Sequence, residues 1–202
     1  CAASECNSSF VCVAMSGNNK RKLNSNTAAT DDDCVTACDA GNCWRSDNVC
    51  YPVANGFKRS NLSGSTQCVT TCDASLCDTG NLCLALTTSN LRTSTSNDAC
   101  ISSCLANTCY NPSNVCIQVD GNNKRKLSSS GCAATCEANA CNSSNVCQAL
   151  TSSLKRQSSS ADACLSTCNS TDCYVGTSFV CQTASSGNVR PSNTDQCAAS
   201  CN

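Results

Sequence analysis

The chain has 202 residues, 25 of them Cys, a density that points to a disulfide scaffold, while Val, Ile, Leu and Phe together fill 29 positions, too few for a domain held by a buried apolar core. The net charge of −1 offers no basic surface to nucleic acid or anionic membrane, and no apolar run approaches the roughly 18 residues of a membrane span. Ser and Thr number 52 and Asn 24, so polarity comes from hydroxyls and amides rather than ions.

Half-cystines at this density persist in oxidising compartments, so an extracellular, secreted or cell-surface protein is expected. The sequence has no initiator Met and no basic, apolar leader, which reads as a mature or excised portion. Sequons stand at Asn7, Asn61, Asn142 and Asn169, consistent with attached glycans and export through a eukaryotic secretory route.

Along the chain one cysteine pattern recurs: CxxxCxxxxC, then five to seven residues, then a fourth Cys. Residues 1–33 hold a partial repeat with Cys1, Cys6 and Cys12. Full repeats follow at 34–67 (Cys34, Cys38, Cys43, Cys50), 68–99 (Cys68, Cys72, Cys77, Cys83) and 100–131 (Cys100, Cys104, Cys109, Cys116). Two more lie at 132–163 (Cys132, Cys136, Cys141, Cys147) and 164–196 (Cys164, Cys168, Cys173, Cys181), and 197–202 opens a further one with Cys197 and Cys201. Four cysteines allow three connectivities. The preferred frame joins the third and fourth Cys of one repeat with the first and second of the next, from Cys6, Cys12, Cys34, Cys38 to Cys173, Cys181, Cys197, Cys201. It leaves Cys1 as a candidate for a bridge to another chain.

Each repeat is expected to open with a short helix. Cysteines at i and i+4 share a helix face, and Asp32, Thr66, Asp98, Ser130, Asp162 and Asp195, two places before each first Cys, suit helix N-caps. The CxxxC step resembles the cysteine-stabilised helix of defensin-like peptides, but their CxC strand is absent. Extended chain then runs through Val11, Val49, Leu82, Val115, Val146 and Val180, each beside the fourth Cys. A hairpin turn at SGNNKRKL (16–23) and DGNNKRKL (120–127) would use Gly and paired Asn at positive φ. The fold class expected is therefore a small disulfide-rich tandem repeat, each unit of about 33 residues a short helix plus a short β-hairpin, stacked into an elongated rod.

Nine residues after the fourth Cys, all six copies carry Arg21, Arg59, Arg92, Arg125, Arg156 or Arg190. A guanidinium offers five donors in a rigid fork, suited to a carboxylate or several carbonyls between units, with the recurrent Asp caps and Asp39, Asp73 and Glu137 as available acids. The neighbouring lysines come and go between copies, so Lys124 is expected to matter little. Trp44 is read as a local packing residue.

With no His and no CxxC or CxC spacing, neither a metal nor a cofactor is expected, and no base for catalysis is evident. The expected role is structural and not enzymatic: a disulfide-braced repeat that forms or decorates a fibre, coat or matrix, self-associating head to tail as a filament. The alternative is a multi-headed serine protease inhibitor or a precursor of disulfide-rich peptides, suggested by the basic pairs near Lys20, Lys58, Lys124 and Lys155.

Overall fold

A computed structural model describes residues 1–22, 32–53, 56–61 and 66–200. Among these residues no helix forms, and short β-strands linked by turns make up the whole regular structure. The chain divides into two compact units, 1–102 and 103–202.

In the first unit the strands are β1 (Glu5–Ser8), β2 (Val11–Ala14), β3 (Lys20–Lys22), β4 (Cys34–Val35), β5 (Asn42–Trp44) and β6 (Val49–Pro52). They continue as β7 (Lys58–Arg59), β8 (Cys68–Val69), β9 (Leu76–Thr79), β10 (Leu82–Ala85), β11 (Leu91–Arg92) and β12 (Cys100–Ile101). β1 pairs antiparallel with β2, β5 with β6 and β9 with β10. β3 then lies between β4, antiparallel, and β6, parallel, and β7 lies likewise between β8 and β10. The second unit repeats the scheme: 140–143 pairs with 146–149, and 124–125 lies between 132–133 and 146–149.

The disulfides explain this architecture. The bridges are Cys1–Cys12 with Cys6–Cys34, Cys38–Cys50 with Cys43–Cys68, and Cys72–Cys83 with Cys77–Cys100. They continue as Cys104–Cys116 with Cys109–Cys132, Cys136–Cys147 with Cys141–Cys164, and Cys168–Cys181 with Cys173–Cys197. Each interleaved pair closes one module, first Cys to third and second to fourth, giving modules 1–34, 38–68, 72–100, 104–132, 136–164 and 168–197. Three residues connect each module to the next. The bridging differs in part from the frame read in the sequence: Cys6–Cys34 falls within its first set, but Cys12 bridges to Cys1, Cys38 belongs to the next module, and Cys1 is thus bonded within the chain. Cys201 lies outside the described residues.

This phase also overturns the helix. In each CxxxC whose two cysteines are described, the first Cys ends one module and the second begins another, so the three residues between are a connector. Cys34 pairs in β4 with Arg21 and bridges back to Cys6, whereas Cys38 bridges forward to Cys50. A helix would send the Cys38 N–H to the carbonyl of Cys34, but it goes to Thr66 Oγ1, 3.2 Å away. The residue expected to cap a helix is thus used elsewhere. Asp98, Asp162 and Asp195 likewise accept the N–H of Cys72, Cys136 and Cys168 at 2.7, 2.8 and 2.9 Å, each reaching back to the first Cys of its own module.

The hairpin turns also lie elsewhere than expected. They join the strands of the second and third cysteines, where Ser9–Phe10, Gly80–Asn81 and Ser144–Asn145 have both φ values positive, the type I′ signature that matches strand twist. In the other three modules the turn is longer and ends on Asn48, Asn114 or Phe179, again at positive φ. Positive φ does not occur at Gly17, Gly121 or the paired Asn residues beside them.

What is buried is mostly sulfur. Cys72, Leu76 and Cys83 form one small core with Val69 packed on it, and Cys168, Tyr174 and Cys181 form another with Leu165 and Phe179. Such cores are too small to hold thirty residues unaided. Each bridge adds roughly 2–4 kcal/mol by restricting the unfolded chain, so two per module supply what apolar burial does not.

Candidate functional site

The module junction is the place where side chains of opposite charge and neighbouring strands are brought together. Two adjacent basic positions build it, and they have different duties.

The repeated Arg works inside its own module. Arg156 Nη1 donates to the carbonyls of Cys136, Glu137 and Ala140 at 3.2, 2.8 and 2.7 Å, and its Nε to Ser158 at 2.9 Å. Arg92 holds Cys72, Asp73 and Leu76 in the same way, Arg125 holds Cys104, Leu105 and Thr108, and Arg190 holds Cys168, Asn169 and Asp172. Arg59 reaches Cys38 and Asp39. The acceptors are main-chain carbonyls of the loop that links the first two cysteines, not the carboxylates of Asp39, Asp73 or Glu137. Asp39 pairs with Lys22 instead, and Glu137 accepts from Ser128. Arg21 departs from the rest: beside Ala2 O, it bonds the Asp32 carboxylate.

The position before the Arg points to the next module. Lys58 Nζ lies 2.7 Å from Asp98 and 3.1 Å from Asp78, Lys124 lies 2.9 Å from Asp162, and Lys155 lies 3.4 Å from Asp195. For Lys20 the corresponding repeat position of the next module is Thr66 rather than an acid. It donates to the Gly17 and Thr36 carbonyls and sits 5.2 Å from the Trp44 ring centroid, while Lys155 sits 5.3 Å from that of Tyr174. Lys20, Lys124 and Lys155 are buried, so the expectation that Lys124 is dispensable is corrected here. Trp44 serves the junction rather than its own module alone.

Main-chain bonds complete the contact. The N–H of Arg21, Arg59, Arg125 and Arg156 donates to the carbonyl of the next module's hairpin tip, Asn48, Asn81, Asn145 and Phe179, at 2.8–2.9 Å. The Arg then pairs in parallel with Val49, Leu82, Val146 and Val180.

These contacts set the carboxyl acidities. Burial works to raise the pKa of Asp98, yet the Lys58 and Cys72 N–H hydrogen bonds and the charges of Lys58 and Arg92 outweigh it and hold the group below the usual carboxylate range. Asp162 and Asp195 are lowered against burial in the same manner, through Cys136 and Lys124 and through Cys168 and Lys155. For Lys58 burial pulls the ammonium pKa down, but Asp98 and Asp78 raise it above the ordinary lysine value.

Of the sequons, Asn61 and Asn169 are exposed. Asn7 and Asn142 are half-buried in strands, and Asn142 Oδ1 is buried without a hydrogen-bond partner. In the first unit a groove of about 440 Å³ is lined by Gly41, Val53, Arg59, Asn61, Thr79 and Leu82 among others. Its ionisable lining residue is Arg59, already engaged by two carbonyls. Among the described residues no cluster of His, Cys, Asp and Glu is arranged for a metal, and no helix is long and apolar enough to cross a membrane. Twelve intramolecular disulfides of this kind are typical of extracellular or secreted proteins. Comparison with family models, curated proteins and solved structures finds no match.

Proposed function

We propose that the chain is a non-enzymatic structural component of an extracellular coat, matrix or fibre, glycosylated at Asn61 and Asn169 and assembled by self-association. One observation carries this reading: the charged side chains at the conserved repeat positions are spent on closing modules and joining neighbours. Arg156 is consumed by four carbonyls and Lys124 by Asp162. Repetition of one braced unit supports mechanical and proteolytic durability more than chemistry at a single place.

The reading as a multi-headed protease inhibitor or a peptide precursor is weakened by burial. An inhibitor presents its basic residue on an exposed loop, whereas Lys20, Arg92, Lys124, Lys155 and Arg156 are buried. The test is fractionation of native extracellular material. Undivided chains that carry all six modules, released from an insoluble fraction by reductant, are expected. Separate peptides of about 33 residues, or stoichiometric inhibition of trypsin, would overturn the proposal.

A further inference from the structure

The connectors between modules share one construction. The first residue, Val35, Val69, Ile101, Ala133 or Leu165, continues the strand of the preceding Cys and is half-buried. Val69 and Leu165 pack on the small cores of the modules they introduce. With that side chain turned in and the following Cys held by its bridge, the next two residues bend outward. They are Thr36–Ala37, Thr70–Thr71, Ser102–Ser103, Ala134–Thr135 and Ser166–Thr167, and all ten are exposed. Ser and Thr fill 52 of the 202 positions in the chain but eight of these ten.

Turn chemistry does not account for that choice. Exposed bends favour Gly, Asn and Asp, and the chain holds 24 Asn, yet none of the three occurs at these positions. Five of the eight are Thr, which is stiff at χ1 and suits strands better than bends. Elsewhere hydroxyls brace their loops: Ser94 Oγ accepts the Asn97 N–H at 3.0 Å, Ser158 Oγ that of Ala161 at 2.9 Å and Thr87 Oγ1 that of Asn90 at 3.1 Å. None of the eight connector hydroxyls has a hydrogen-bond partner among the described residues, and Ala37 and Ala134 hold two of the places with no hydroxyl at all. The connectors are also where one cut divides the chain. A cut within a module is held by that module's two bridges, whereas a cut between Cys34 and Cys38, or between Cys68 and Cys72, frees whole modules from each other.

We propose that the connectors are acceptor sites for O-linked sugars, carried on Thr36, Thr70 or Thr71, Ser102 or Ser103, Thr135, and Ser166 or Thr167. The hydroxyl oxygen attacks C1 of a sugar held on a phosphate. The new bond joins that oxygen to C1, the C1–O bond to the phosphate breaks with its electron pair staying on the phosphate, and the hydroxyl proton passes to a base of the transferase. A sugar at each connector covers the exposed, unbridged chain that a protease would otherwise reach first. This rests on the extracellular structural reading above, which takes the chain past the glycosyltransferases of a secretory route, and it names a modification at positions other than the sequons.

Peptide mass mapping of native chains tests it, after reduction, enzymatic removal of N-linked sugar and cleavage with trypsin. Expected are sugar-bearing peptides with the sugar localised to the connector hydroxyls, at occupancies several-fold above those of Thr87, Ser94 and Ser158. Bare connectors, phosphate in place of sugar, or sugar spread alike over both groups of hydroxyls overturn the inference. In chains made where no glycosyltransferase acts, Thr70→Ala combined with Thr71→Ala is expected to leave the urea midpoint unchanged under non-reducing conditions. A lowered midpoint would give these hydroxyls a structural duty and overturn the inference as well. Undivided chains with bare connectors leave the structural reading standing, whereas short free peptides remove that reading whatever sugars they carry.

Discussion

Lys58 and Asp98 lie in different modules and 40 positions apart, yet Nζ and Oδ1 are 2.7 Å from each other, and Asp98 Oδ2 accepts the Cys72 N–H at 2.7 Å. One carboxylate thus fixes the first cysteine of its own module and receives the lysine of the preceding one. The sequence varies the two positions together in four of five successive module pairs, Lys20 with Thr66 being the exception. Lys58, Lys124 and Lys155 accompany Asp98, Asp162 and Asp195, whereas Leu91, fully buried, accompanies Ser130 at the equivalent places.

That substitution pattern specifies a double-mutant cycle at Lys124 and Asp162. Both side chains are about nine-tenths buried, so Lys124→Leu leaves a carboxylate without its ammonium and is expected to cost on the order of 3 kcal/mol. Adding Asp162→Ser, which copies the Leu91 and Ser130 combination, removes the stranded charge and keeps an acceptor for the Cys136 N–H, as Thr66 does for Cys38. The double variant should return to within about 1 kcal/mol of the parent. Urea unfolding under non-reducing conditions measures all four forms, and additive losses would refute the pairing.

Arg156→Lys should lower stability by about 1–2 kcal/mol. An ammonium can satisfy the Cys136, Glu137 and Ala140 carbonyls or approach the Ser158 carbonyl, but it lacks the planar fork that reaches both sides at once. Since the loop held is the one between Cys136 and Cys141, faster amide exchange should appear there first. An unchanged midpoint and exchange pattern would mean that the three-carbonyl clamp contributes nothing.

The cysteine period and the recurring Arg are legible in the sequence because each falls at a fixed offset within one module. The module boundary is not, because CxxxC has the spacing of a helical turn and a connector of three residues gives the same string. Asp98 reads as a cap by its place before Cys100, while its true partner, the Cys72 N–H, lies 26 positions back. The lysines escape notice because Leu91 and Val189 interrupt their column. Their burial becomes evident only when Asp98, Asp162 and Asp195 are seen to come from the next module. A signal was present in the residue after the second Cys, which alternates Asn7, Trp44, Asp78, Tyr110, Asn142, Tyr174, and in the structure Trp44, Asp78 and Tyr174 face the lysines.

Acid should loosen the junctions. Asp98, Asp162 and Asp195 have folded pKa values below their ordinary ones, so the stability they contribute is complete above the unfolded value of about 3.9 and is lost as pH falls through the folded values. Lys58 has the opposite sign: its raised pKa contributes fully below about pH 10.4 and fades as pH rises beyond it. Calorimetry from pH 2 to 8 should show a flat Tm at neutral pH and a decline setting in below about pH 4. In Asp98→Asn the decline should shrink. A Tm that falls already between pH 7 and 5 would point to other groups.

The bridge pattern determines what trypsin can release from the unfolded but unreduced chain. The bridge from the second to the fourth Cys spans the repeated Arg of each module and the Lys before it where there is one, as Cys43–Cys68 spans Lys58 and Arg59 and Cys77–Cys100 spans Arg92. The connectors, such as 69–71 and 133–135, contain no Lys or Arg. Every cut therefore falls inside a module that its own bridges hold closed, and every piece that carries cysteine stays bridged to a neighbouring piece, as 1–20 is through Cys6–Cys34 and 46–58 through Cys38–Cys50. Digestion should leave one covalent product, seen as a single high-mass species by non-reducing electrophoresis, which separates into peptides only on adding reductant. Mass spectrometry before reduction should find Cys1 joined to Cys12. A Cys1 that takes up iodoacetamide would contradict the Cys1–Cys12 bridge, and four-cysteine peptides released without reductant would contradict the interleaved modules, because they require bridges that close between two tryptic sites.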